Sequence, residues 1–110
     1  MATIKLTQDN FEDEVMNSNI PVIIDFWASW CMPCQMMGPV FESLSNEYKG
    51  NLVFGKVNTE EEQGLAAAFQ VRSIPTLAVV YQGKVIDQIF GFAPKEILKE
   101  KIEKILAKTR

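Results

Sequence analysis

Histidine is missing from this chain altogether, and cysteine occurs only twice. The first absence removes the imidazole base that a cysteine nucleophile of the papain kind requires, so such a hydrolase is excluded. The two absences together exclude, within one chain, both all-cysteine and mixed cysteine and histidine zinc sites, and no metal is expected. No apolar run approaches the ~20 residues needed to span a bilayer. The start, MATIKLTQDNFEDEV, shows no apolar segment behind a basic one. The expected address is the cytoplasm, with no membrane partner. Basic excess is lacking too: eleven Lys and Arg against fourteen Asp and Glu leave a net charge of −3. No Lys/Arg patch meets the demand of a phosphate backbone, so nucleic acid is not an expected partner. Repeats, low-complexity tracts and Pro/Gly/Ser-rich linkers are absent as well, and residues 1–110 are expected to form one domain.

What the chain does have is apolar content: 47% over 110 residues. That is enough to bury roughly two-thirds of the unfolded surface without help from a staple or a metal. After a short apolar patch at Ile4–Leu6, Thr7 or Asp9 is placed to cap a helix running to about Met16, with Phe11 and Val15 on one face. PVIIDFWA reads as a strand buried on both faces, because its apolar residues run together instead of alternating. Residues 31–48 follow as a helix with Met37, Phe41, Leu44 and Tyr48 on one stripe.

LVFGKVN makes a second buried strand, and a helical segment near Glu61–Phe69 returns the chain. LAVVY and KVIDQIF flank Gln82 and Gly83 as a hairpin. From Pro94 onward, Leu98, Ile102, Ile105 and Leu106 stripe a closing helix. The expectation is an α/β fold: a mixed central sheet with a parallel βαβ half, an antiparallel hairpin and helices on both faces.

Both thiols sit in WCMPC, where the first strand gives way to a helix. Positions i and i+3 of a helix lie ~5 to 6 Å apart on one face, within the reach of a disulfide. Cys31 falls where free N–H groups and the positive end of the helix dipole favour a thiolate, so it is expected to attack. Cys34, one turn further in, is then the buried resolving thiol. Two ordinary core cysteines would carry no such requirement of spacing or place.

Asp25 interrupts the apolar run before them. Burial should raise its pKa, which suits a proton carrier for Cys34, directly or through a water. The alternative is a carboxylate that caps a neighbouring backbone segment or pairs with a cation. Lys56, in LVFGKVN, offers such a cation, or else snorkels to solvent.

FWASWCMPC, together with SIPT some forty residues later, resembles the thioredoxin family over nearly the whole chain. The resemblance implies a thioredoxin fold and a protein-disulfide reductase. Cys31 opens a target disulfide, Cys34 resolves the mixed disulfide, Asp25 moves the proton and Lys56 pairs with Asp25. It implies a cis peptide between Ile74 and Pro75 against the thiols, with the Ile74 backbone free to pair with an extended target segment. Trp30, Met32, Pro33 and Ile74, with the Gly91, Phe92, Ala93 turn, would then ring Cys31 with apolar surface; Trp27 is expected in the core. No bound cofactor is implied. Electrons would come from NADPH through a separate thioredoxin reductase, and the protein would act as a monomer on disulfide-containing protein targets.

The pair departs from the family's usual Gly-Pro by enclosing Met32 and Pro33, with Gln35 where Lys is common. The enclosed residues tune thiolate stability. Three other readings use the same sequence: an oxidase or isomerase, a redox-independent binding module, and a cluster bridge between two chains each giving one CxxC.

Overall fold

The computed structural model describes residues 2–110. Five strands form one sheet: β1 (Thr3–Lys5), β2 (Val22–Trp27), β3 (Val53–Asn58), β4 (Thr76–Tyr81) and β5 (Lys84–Phe90). Three helices accompany them: α1 (Met32–Glu47), α2 (Gln63–Ala68) and α3 (Lys95–Ala107). The sheet order is β1-β3-β2-β4-β5. β3 runs parallel to both β1 and β2, while β4 is antiparallel to β2 and β5. This is the expected mixed sheet, with β2 at its centre.

Because side chains alternate along a strand, β2 feeds two cores. Ile23 joins Met37, Phe41 and Leu44 of α1 and Leu98 and Ile102 of α3 on one face. Val22, Ile24 and Phe26 join Leu6, Val15 and Leu65 of α2 on the other. Phe41 packs against Phe54 with ring centroids 4.9 Å apart, a contact that adds to the ~2 to 3 kcal/mol of burying the ring itself. At its far end α1 is tied to α3 by Glu47, which takes Lys95 at 2.7 Å and Lys99 at 2.8 Å. Those two hydrogen bonds hold the Glu47 carboxyl down at about 2.

Two glycines are dictated by space and twist. A Cβ on Gly55 would collide with the side chain of Leu6, which crosses β3 there. At the β4–β5 turn Gln82 (φ 52°) and Gly83 (φ 77°) are both left-handed, as a two-residue hairpin matched to the strand twist requires.

The N-terminal helix differs from expectation. Thr7 and Asn10 exchange bonds across a turn, the Thr7 N–H donating to Asn10 Oδ1 at 2.8 Å and the Asn10 N–H to Thr7 Oγ1 at 3.4 Å. Beyond that turn the chain makes a single wide helical turn, Glu12–Met16, closed by the Asn17 N–H on the Glu12 carbonyl five residues back. Only Val15 of this turn is fully buried, so little apolar contact favours a longer helix. The closing helix begins as expected: Pro94, extended at φ −66° and ψ 160°, is the residue before its first turn.

Candidate active site

The chain leaves β2 at Trp27, crosses Ala28 to Trp30 and enters α1 with Cys31 as the residue before the first turn. Cys31 is extended (φ −92°, ψ 112°), and its Sγ accepts the Cys34 N–H at 3.2 Å. Sulfur therefore takes the capping place that a Ser or Asp oxygen usually fills. Pro33 lies in the first turn, where a missing N–H removes a donor that has no helical partner anyway. The first turn carries no acidic side chain, so the positive end of the helix acts on Cys31 unopposed. Cys31 and Cys34 are bonded as a disulfide with Cα atoms 5.2 Å apart.

Three hydrogen bonds hold the loop ahead of Cys31 in place. Glu60 Oε1 accepts both the Ser29 N–H at 2.9 Å and the Ser29 hydroxyl at 2.8 Å, and these bonds pull the Glu60 carboxyl below its usual range. Gln35 Nε2 donates to the Ser29 carbonyl at 2.9 Å. Sequence reasoning missed Ser29 and Glu60, since nothing local links residues 31 apart in the chain. Gln35, which departs from the family pattern, here serves as a loop clamp.

The opposite wall comes from the other half of the chain. The Ile74–Pro75 peptide is cis, as the resemblance implied. The Ile74 carbonyl oxygen lies 3.8 Å from Cys31 Sγ. Ile74 and Trp27 pack against the small cluster of Ala28, Cys31 and Cys34. The Gly91 N–H donates to the Pro75 carbonyl at 2.9 Å, which draws the left-handed turn at Gly91 to this wall. Trp30 and Met32 stand exposed beside the pair, with Phe92 partly exposed, whereas Ala93 is buried. Trp30 is thus on the rim, and Trp27 is half-buried at the end of its strand.

Asp25 lies on the face of β2 that α1 covers, in register with Lys56 on β3 and Leu77 on β4. It is buried, and neither carboxylate oxygen has a hydrogen-bond partner. Burial pushes its pKa up to about 7, against a smaller downward pull from the Lys56 charge. The alternative of a backbone-capping Asp25 is thereby removed. The expected ion pair with Lys56 is corrected as well: Lys56 Nζ lies over the Trp27 ring, 5.2 Å from its centroid, an arrangement that satisfies a half-buried cation without a carboxylate. The ammonium acts on Asp25 through its field only.

Among the described residues no group of three or more His, Cys, Asp or Glu is placed to hold a metal ion, and no helix is long and apolar enough to cross a membrane.

The profile of the family described as Thioredoxin matches residues 2–104. A thioredoxin of Chlorobaculum thiosulfatiphilum is 43% identical over 97 residues, which cover 88% of this chain and 90% of that protein. Thioredoxin 1 of a Nostoc species is 40% identical over 105 residues, 96% of this chain and 98% of that one. The thioredoxin of Staphylococcus saprophyticus is 44% identical over 106 residues, covering 96% of this chain and all of the relative. A match of that extent, joined to a cysteine pair capping a helix against a cis-proline wall, makes this chain a thiol-disulfide oxidoreductase that belongs to the thioredoxin family.

Proposed function

We propose that the chain works as one domain that reduces protein disulfides in the cytoplasm, with Cys31 as nucleophile and Cys34 as resolving thiol. The Cys31 thiolate attacks one sulfur of a target disulfide, whose other sulfur leaves as a thiolate. Cys34 loses its proton to the Asp25 carboxylate and attacks Cys31 Sγ. The Cys31–Cys34 bond forms, the mixed disulfide breaks, and the target leaves with two more electrons and, after protonation, two thiols. The observation that carries this reading is the Cys34 N–H donated to Cys31 Sγ at the helix start, a contact that grows stronger when that sulfur is negative.

Asp25 suits its role because it titrates near the working pH and has no competing hydrogen bond. Lys56 tunes that titration by its charge. Trp30, Met32, Pro33 and Phe92 form the apolar rim on which a target docks, and the Ile74 backbone, ahead of cis Pro75 and beside the Gly91 turn, offers an edge to an extended target segment. Such a rim carries no charge pattern, which fits many partners held weakly. A thioredoxin reductase fed by NADPH is the proposed electron source, and the monomer the proposed working form.

The deciding experiment equilibrates the Cys31/Cys34 pair in graded thiol buffers. A potential below the glutathione poise, roughly −250 mV, is expected of a reductant. A value well above it would assign oxidase chemistry to the same fold. Cys34→Ser is expected to trap targets as mixed disulfides through Cys31, and Cys31→Ser to trap none.

A further inference from the structure

Five sulfur atoms fall between residues 31 and 37: Cys31, Met32, Cys34, Met36 and Met37. Their access to solvent differs sharply. Each cysteine is 4% exposed and Met37 is fully buried, whereas Met32 is 72% exposed and Met36 54%. Met32 and Met36 are four residues apart on α1, on the side away from Cys34, Met37 and Phe41. Met32 is also enclosed between the two cysteines and neighbours the exposed Trp30 in the rim.

Thiolates normally shield a thioether by reacting first with an oxidant. In the disulfide form neither cysteine has a thiolate, and the two exposed thioethers become the accessible nucleophilic sulfurs of the site. We propose that Met32 is an oxidation-sensitive position of the docking rim, where conversion to the sulfoxide by hydrogen peroxide weakens docking of protein targets far more than it alters the disulfide chemistry itself. A sulfur lone pair forms the S–O bond as the peroxide O–O bond breaks. The thioether gives two electrons, and the second oxygen leaves as water.

The product is polar where the rim was apolar. A target that covers it must strip water from the sulfoxide oxygen without supplying a donor. Met36 is a second, slower site at the edge of the same surface. The inference rests on the reading that the apolar rim docks protein targets.

The test exposes the disulfide form to hydrogen peroxide and follows the gain of one oxygen at each methionine by peptide mass spectrometry. Met32, then Met36, is expected to gain it ahead of Met16, which is 42% exposed but lies off the rim, and Met37 not at all. The treated protein is then assayed on insulin with dithiothreitol as electron source and, once reduced and freed of reductant, for the rate of its stoichiometric reaction with a small aromatic disulfide. The KM for insulin is expected to rise about three- to tenfold, as the loss of one apolar contact implies. The small disulfide, too small to cover the rim, should change by less than about twofold.

Methionine sulfoxide reductase is expected to restore the insulin KM. Met32→Leu, whatever its own starting KM, is expected to hold it through the treatment, and Met36→Leu to respond as the parent does. Oxidation of Met32 no faster than Met16, or an unchanged insulin KM once Met32 is oxidised, overturns the proposal. An untreated protein inactive on both disulfides refutes the reductase reading instead, and the order of oxidation still decides the modification site.

Discussion

Replacing Asp25 by Asn should leave the protein unchanged in acid and stabilise it in base. The side chain is buried with both oxygens unpartnered, and its pKa stands at about 7 against an ordinary 3.8. Between those two values the folded protein holds a proton that the unfolded chain has released, so stability falls as pH rises through the window. The slope is about 1.4 kcal/mol per pH unit. Above the folded pKa the loss levels off at about 4 kcal/mol, a large share of the ~5 to 15 kcal/mol by which domains are stable.

An amide of the same shape does not titrate, so Asp25→Asn should match the parent near pH 4 and exceed it by about 4 kcal/mol near pH 8. Urea unfolding of the disulfide form at a series of pH values measures the difference. Cysteine titration is then absent, and every other group cancels between the two proteins. A difference that stays flat, within about 0.5 kcal/mol across that range, would refute the assignment of Asp25 as the desolvated acid.

Lys56→Met removes the charge that lowers the Asp25 pKa, and should extend the pH window of stability loss at its upper end in the same urea series, its lower end staying at the unfolded value. Phe41→Ala empties the core between α1 and β3, and should cost about 3 to 5 kcal/mol, read as a lower urea midpoint at unchanged slope. Gly83→Ala places a Cβ on a residue at φ 77°, and should cost about 1 kcal/mol; insulin reduction by the folded variant should be unchanged, because the hairpin tip does not touch the cysteines.

Most of the sheet was legible in the chain because β2, β3 and β4 are written in largely apolar runs and the hairpin is marked by Gly83, which accepts left-handed backbone; β1, three residues long, showed only as an apolar patch. The pair of thiols was legible because both their spacing and their place after a buried strand are local features. The first helix was not. A capping pattern at Thr7 says where a helix can begin, but tertiary burial decides how far it runs, and only Val15 is packed away. Contacts between distant segments were equally hidden. Ser29 meets Glu60 across the gap between two strand ends, and Lys56 settles on Trp27 instead of the carboxylate beside it in register. Both outcomes depend on side-chain directions in three dimensions, which periodicity does not carry.

The wall that faces Cys31 is made by Ile74 and Pro75, more than forty residues later in the chain, and β4, which comes directly after them, pairs with β2. A polypeptide emerging from the ribosome therefore exposes WCMPC well before the wall that faces Cys31 exists. Until β4 joins the sheet, Asp25 lacks its neighbour Leu77 and Cys31 has no facing backbone. The complete site arrives with the completed fold, so an unfinished or truncated copy lacks the backbone wall against which a target segment would pair.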